Sequence, residues 1–441
     1  MGSRDSVSRR DFMRRAGAAA AVAGGLTILG AGPARGQAAK TFKVGLIGCG
    51  GRGNGAAGDI LNAAKALNVD VRFTALADAY ADRVTRAREA LKGKGQEVPE
   101  AQCFTGFDAY KKLIAADVDI VLMCTSPNFR PMHFEAAVKA GKHVFIEKPV
   151  AVDPVGCRRV LATGEEAGKK GLAVLAGTCL RHDKLYRGFW QLISDGTIGR
   201  VLGGTTYYCI GRLWCNPRKE GWSDAEYLVR NWANFAEMSG DHIVEQHVHT
   251  LDMVNWCLGA APVAAVAVGG RARRVTGNQF DFFSTDLEYP DQVHIHSICR
   301  QVNGCWDRGN GFHLVGEKGW AEKGWGDIRD GVFLWDGKRK VPYPDVPMQG
   351  SMYIQEHVVF LDSILKGKPV NDTKAVTEAS LTAILARMSA YTGARIEWKE
   401  LAEPNVKPEF GNFACKPTPE DFEKGEVKAP EDDVVPIPGK A

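Results

Sequence analysis

The run "SGDHIVEQHVHTLDMVNW", Ser239 to Trp256, sets His242, His247 and His249 among Asp241, Glu245 and Asp252. Metal ligation, acid–base chemistry and a merely polar helix face all draw on such residues. If the run is helical from Asp241, then Val244, Val248, Leu251, Val254 and Leu258 recur at helical steps and form one apolar stripe. His242, Glu245, His249, Asp252 and Trp256 form a second stripe, and His247 points elsewhere. The spacing matches no zinc pattern: H-E-x-x-H is absent, and "HIVEQH" misses H-x-x-E-H by one residue. With no cysteine pair or distant carboxylate marked as a completing ligand, no metal is expected. A histidine bonded to an acid three or four residues away is the structural alternative. An imidazole, with an ordinary pKa of about 6.5, is also able to take a hydroxyl proton near neutral pH.

A second constellation is "GCGGRG", Gly48 to Gly53, directly after the apolar run "FKVGLI". The pattern G-x-G-x-x-G between a strand and a helix brings the backbone close to a pyrophosphate on the helix N-terminus. Asp78 ends the next apolar run, where a carboxylate bonds a ribose 2'-hydroxyl and disfavours a 2'-phosphate. NAD is therefore the expected cofactor, with NADP possible because Arg52 and Arg83 lie near. Two further apolar runs end in "TSPN" (Thr125 to Asn128) and "EKP" (Glu147, Lys148, Pro149), and ligands of open α/β sheets lie at such carboxyl ends.

These motifs need a frame. Near-uniformly apolar strands alternate with helical stretches up to "GLAVLAGT", as in a parallel sheet covered on both faces. The fold class is α/β: a doubly wound dinucleotide-binding (Rossmann) domain over residues 41–178. An α+β substrate-binding and oligomerisation domain with a largely antiparallel open sheet follows over 179–400. "GRVLGGTTYYCIGRLW", "PVAAVAVGGRARRV", "DFFSTDLEYP" and "QVHIHSICRQV" read as its strands, and Thr373 to Thr392 as a late helix. Residues 401–441 are Pro-rich and charged and form an arm or tail.

"GCGGRG", "TSPNFRPMH" and "GKHVFIEKPV", in this order and spacing, resemble the Gfo/Idh/MocA oxidoreductase family over roughly Phe42 to Gly259. The resemblance implies a nicotinamide cofactor, sugar or polyol substrates, and a homo-oligomer, a dimer or tetramer. It also implies that Lys148 contacts both the nicotinamide side and the reacting hydroxyl. The family usually has an Asp four residues before its histidine; here Glu245 precedes His249, and His247 stands where Gly is common. The expected catalytic set is Lys148, His249 and Glu245. Expected cofactor contacts are Gly48, Gly50, Gly51, Arg52, Gly53, Asp78, Thr125, Pro127, Asn128, His133, Glu147 and Lys148. Between Arg181 and Trp232 the chain concentrates tryptophan and arginine, which suit the apolar faces and hydroxyl rim of a sugar. Arg181, Arg212, Trp214, Arg230, Trp232 and His249 are the expected substrate contacts.

Composition narrows the function classes. Of the 441 residues 45% are hydrophobic, enough for one large or two ordinary cores. The first 37 residues carry six arginines and two aspartates; without them, fifty basic and fifty acidic residues remain. That balance argues against nucleic-acid binding. "SRRDFMRR", the weakly apolar "AGAAAAVAGGLTILGAG" and "PARGQA" read as a twin-arginine export signal over residues 1–37, with cleavage near Gly36 to Ala39. A periplasmic protein with no stable membrane span after cleavage is expected. Such export carries folded protein, so the cofactor would be acquired beforehand and held tightly. Among eleven scattered cysteines, Cys209 with Cys215 and Cys299 with Cys305 are spaced for disulfides. The leading expectation is an NAD-dependent sugar or polyol oxidoreductase. A redox-neutral NAD-dependent glycoside hydrolase or lyase and a non-catalytic nucleotide-binding sensor are the alternatives.

Overall fold

The computed structural model describes residues 40–304, 309–325, 330–336 and 339–439; residues 1–37, where an export signal is expected, and Cys305 lie outside them. Six strands form the first sheet: β1 (Thr41–Ile47), β2 (Asp70–Asp78), β3 (Cys103–Thr105), β4 (Ile120–Met123), β5 (His143–Ile146) and β6 (Val174–Ala176). Their order is β3-β2-β1-β4-β5-β6, and every pairing is parallel. The order reverses between β1 and β4, which opens a crevice at their carboxyl ends.

Alternate residues of these strands feed two cores, which is why the strands read as uniformly apolar. Leu46, Leu76, Leu122, Phe145 and Leu175 belong to one core, with Ala56 and Ile60 of the helix Gly51–Leu67 and Phe360 and Leu361 of the helix Met352–Leu365. Ile47, Ala77, Val121, Met123, Ile146 and Ala176 belong to the other, with Phe134 and Val138 of the helix Arg130–Lys139 and Val160 of the helix Pro154–Lys169.

The second sheet has nine strands: β7 (Val201–Ile210), β8 (Ala264–Gly270), β9 (Phe282–Tyr289), β10 (Val293–Gln301), β11 (Asn310–Gly316), β12 (Gly319–Trp325), β13 (Gly331–Leu334), β14 (Lys340–Val341) and β15 (Ile396–Glu397). In the order β14-β13-β12-β11-β7-β10-β9-β8-β15, only β7 and β10 pair in parallel. β9 and β10 alternate strictly, with Phe283, Leu287, Ile295 and Cys299 turned into the core. The helix Thr373–Thr392 packs against β8 and against the helices Val248–Leu258 and Pro154–Lys169. Its fully buried Arg387 donates to the carbonyls of Val152 (2.8 Å) and Gly240 (2.9 Å), one on each side.

One expectation changes, and one element was not foreseen. Cys209, Cys215 and Cys299 are free thiols, so the Cys209–Cys215 bridge is absent. The helix Met352–Leu365 carried no clear sequence signal, because its apolar residues cover the first sheet although the chain has already left it.

Buried imidazoles make stability pH-dependent. Burial pushes His133, His182 and His247 each down to about 3, and His357, stacked on Phe145 with ring centroids 4.3 Å apart, well below its ordinary range. The unfolded chain binds these protons below about pH 6.5 and the native chain does not, so stability falls as pH drops from there. Each histidine adds a slope of up to about 1.4 kcal/mol per pH unit. Denaturant unfolding between pH 7.5 and 5.5 should show this loss, and His357→Phe should reduce the slope by one proton.

Candidate active site

The glycine turn follows β1. Gly48 has φ +92°, and a Cβ there would stand 2.6 Å from the Cys124 and Thr125 backbone. A Cβ on Gly53 would meet the Gly48 carbonyl oxygen at 1.9 Å, so turn and helix close only because both residues lack one. No side chain caps the helix Gly51–Leu67 at Gly50, and its first turn holds no acid, which leaves its leading N–H groups for an anion. Asp78, at the end of β2, accepts from Cys49 N (2.7 Å) and Tyr80 N (3.1 Å), and so holds the turn while facing the crevice.

That crevice is a cleft of about 760 Å³. Gly48, Gly50, Asp78, Thr125 and His133 line it, joined by Tyr80, Arg83, Phe107 and Ser126, which the sequence reading did not select as contacts. The Thr125 hydroxyl and both His133 ring nitrogens are buried without a hydrogen-bond partner among the described residues. Glycines at the close approach, open helix amides and a carboxylate beside them fit a dinucleotide.

Lys148 follows β5. Its Nζ donates to the Glu245 carbonyl (2.6 Å) and to Glu245 Oε1 (3.0 Å), with both side chains nearly buried. The Glu245 carboxylate also accepts from the Gln246 amide. The His249 ring lies 6.3 Å from that of Tyr208 at an interplanar angle of 22°, and its nitrogens have no hydrogen-bond partner among the described residues. Burial, with the nearby charges of Lys148 and Arg52, holds His249 well below its ordinary pKa, so it is a neutral imidazole at physiological pH.

The histidine-rich run is not one helix. Asp241, at φ +75°, caps the short helix His242–Glu245, and the chain breaks at Gln246 before the helix Val248–Leu258. The break comes with the Asp241 carboxylate, which accepts from Tyr391 Oη (2.5 Å), Phe280 N (2.9 Å) and His242 N (2.5 Å). His242 therefore leaves the proposed stripe and bonds Asp241, Glu245 ends the short helix before the break, and only His249, Asp252 and Trp256 keep the stripe along the helix Val248–Leu258. His247 bonds Ser297 of β10 (2.7 Å) and Thr250 (2.9 Å), anchoring the helix to the sheet. Among the described residues no group of three or more His, Cys, Asp or Glu side chains stands in metal-ligating geometry.

Other expected contacts are placed differently. Arg52 turns away from the cleft: Nε donates to Glu147, Nη1 to Asp59 (3.1 Å) and Nη2 to Glu356 (2.9 Å). Arg52 and Glu147 are thus ion-paired behind the turn, because a buried guanidinium draws carboxylates to all three nitrogens. Neither Pro127 nor Asn128 lines the cleft, the latter being turned to Met238 Sδ (3.2 Å). Gly51 and Gly53 shape the turn without lining it. Arg181 is held by Asp252 through two bonds of 2.8 Å, over the Trp256 ring, so it is not free for substrate. Arg230 and Trp232 line the nucleotide cleft instead of a separate sugar pocket. Arg212 and Trp214 follow β7, with Trp214 edge-on to Trp232 and half exposed. Tyr208 of β7, beside His249, and Tyr353, whose ring lies 5.2 Å from the Arg52 guanidinium, are polar aromatics that sequence reasoning missed. Neither belongs to a motif; only the fold brings them there.

Comparison with known proteins agrees with this geometry. Residues 42–175 match the model of the oxidoreductase family with an NAD-binding Rossmann fold, and residues 186–322 match the GFO/IDH/MocA C-terminal domain. The chain is 29% identical over 181 residues, 40% of its length, to 2,7-anhydro-N-acetylneuraminate hydratase of Mediterraneibacter gnavus. It is 28% identical over 228 residues, 52% of its length, to inositol 2-dehydrogenase of Rhizobium meliloti. The chain spans about half the length of these curated relatives, 43% and 58%. In fold it is similar to levoglucosan dehydrogenase in complex with NADH and levoglucosan, with TM-score 0.64, 18% identity and coverage of 81% of this chain and 99% of that one. Aldose-aldose oxidoreductase from Caulobacter crescentus gives 0.62 at 19% identity, covering 81% and 100%.

Gly53→Ala should abolish NAD binding, because the new methyl group has only backbone to displace; titration calorimetry with NAD measures this, and unchanged affinity would remove the turn from the site.

Proposed function

We propose that this chain, which belongs to the Gfo/Idh/MocA oxidoreductase family, is an NAD-dependent enzyme that oxidises a secondary hydroxyl of a sugar or polyol. The observation that carries this reading is the Lys148 ammonium, held at a strand end by Glu245 beside an unpartnered, neutral His249. The bound nicotinamide supplies the hydride acceptor. His249 accepts the hydroxyl proton, Lys148 donates a hydrogen bond to the oxygen as negative charge develops there, and Glu245 orients Lys148 and balances its charge. Tyr208 and Tyr353 bring two phenols near the same place and suit a substrate rich in hydroxyls. Asp78, next to the glycine turn, favours NAD over NADP.

The second reading, a redox-neutral hydrolase or lyase in which the hydride returns to the substrate, gains support from the relative named a hydratase within an NAD-binding family. A periplasmic location through the N-terminal twin-arginine sequence, and assembly as a homodimer or tetramer, belong to the same proposal.

Purified protein, assayed without added NAD on free sugars, polyols and aryl glycosides, separates these readings. Absorbance of reduced cofactor with polyols supports the dehydrogenase, and glycoside cleavage with no net cofactor change supports the redox-neutral enzyme. Lys148→Ala and His249→Ala should each lower turnover by about 10²- to 10⁴-fold with NAD still bound. Unchanged turnover in both would sink the mechanism. Because His249 is neutral well below its ordinary pKa, wild-type kcat should stay flat through neutral pH and fall only in acid, as the imidazole becomes protonated.

A further inference from the structure

One wall of the nucleotide cleft comes from far along the chain. Val229 and Arg230, at the end of the helix Asp224–Arg230, and Trp232 just after it face the glycine turn and Asp78 across the cleft. Arg230 bonds back over the mouth to Asp82, with Nη1 at 3.3 Å and Nη2 at 3.0 Å from its two carboxylate oxygens, and lies 4.7 Å over the Tyr80 ring. Glu226 accepts from Arg230 Nε at 2.8 Å and fixes the guanidinium from behind.

The arm that follows residue 401 meets this wall at one point and the cleft lining and a neighbouring loop at others. Phe422, buried, packs against Phe107 and Phe129 of the cleft lining, with centroids 5.1 and 4.9 Å away. Asp224, first residue of the wall helix, accepts from Ala429 N at 2.8 Å. Asp432 accepts from Gly277 N at 2.7 Å, and the Val434 carbonyl accepts from Asn278 Nδ2 at 2.9 Å, next to the Asn278 side-chain contact with Ala236 N. The arm lies beyond the residues that the family models match.

We propose that the wall segment 224–232 and the arm 419–434 form a clasp over the adenosine half of the cleft, which keeps NAD resident through many turnovers. The inference rests on the NAD-dependent reading above and adds the device that retains the cofactor. Release requires the Arg230–Asp82 pair to part while the arm holds the helix from its other end. An exported enzyme with no free NAD around it would need this, since hydride must then leave through a second substrate.

The test starts from purified protein carrying its nucleotide, chased with excess isotopically labelled NAD, with release followed by mass spectrometry. Wild-type protein should keep its nucleotide through gel filtration. Arg230→Ala and Asp224→Asn should each release it at least tenfold faster with melting temperatures near wild type. The paired exchange Asp82→Arg with Arg230→Asp should slow release again, which a purely structural role of either residue does not predict. Wild-type exchange within seconds, or wild-type release rates in both single variants, overturns the clasp. Protein that binds no NAD at all overturns the functional reading itself.

Discussion

Arg52 is surrounded by Glu147, Glu356 and Asp59 and lies between the faces of Phe145 and Tyr353. Burial of the guanidinium opposes its charge, but Glu147 and Glu356 outweigh that penalty and hold its pKa above the ordinary value. Burial, together with the charge of Glu147, pushes Glu356 well above the carboxylate range. The cluster joins the first helix, the end of β5 and the helix Met352–Leu365. Removing one partner of such a buried pair typically costs about 3–5 kcal/mol.

What that cluster holds in place is Lys148. The free oxygen of Glu147 accepts from Lys148 N at 3.2 Å, and Lys148 reaches across to Glu245 of the other half of the chain. The Lys148–Glu245 pair therefore joins the end of β5 to the short helix His242–Glu245. Arg387, bridging Val152 and Gly240, and His247, bridging its helix to Ser297, fix the two sides from within. His249 is left between them with its nitrogens free, and burial keeps it uncharged.

Some of this was legible in the residues. A glycine turn after an apolar run is a backbone demand, and Gly48 and Gly53 meet it with steric clearances that a Cβ would close. The helix Thr373–Thr392 ends at Gly393, φ +71°, a left-handed cap that glycine favours. The alternation of β9 and β10 was visible because only one face is buried. Arg52 was misread because a motif letter says where its backbone goes and not where a six-atom side chain turns. Arg230 and Trp232 were misread because their partners, Asp82 and the cleft of the first sheet, lie far away in the chain.

The sequence by itself determined the parallel first sheet, the dinucleotide turn, the acid beside it and the lysine at a strand end, since each follows from local sterics or from strand periodicity. It also singled out Glu245 and His249 as residues to watch, though not the break at Gln246 that separates their helices. Only tertiary structure decided that Glu245 binds Lys148, that His242 leaves the row for Asp241, and that the C-terminal arm packs against residues that line the cofactor cleft. Those outcomes depend on partners far along the chain, Lys148 for Glu245 and Tyr391 for the Asp241 that takes His242, beyond the reach of any local pattern.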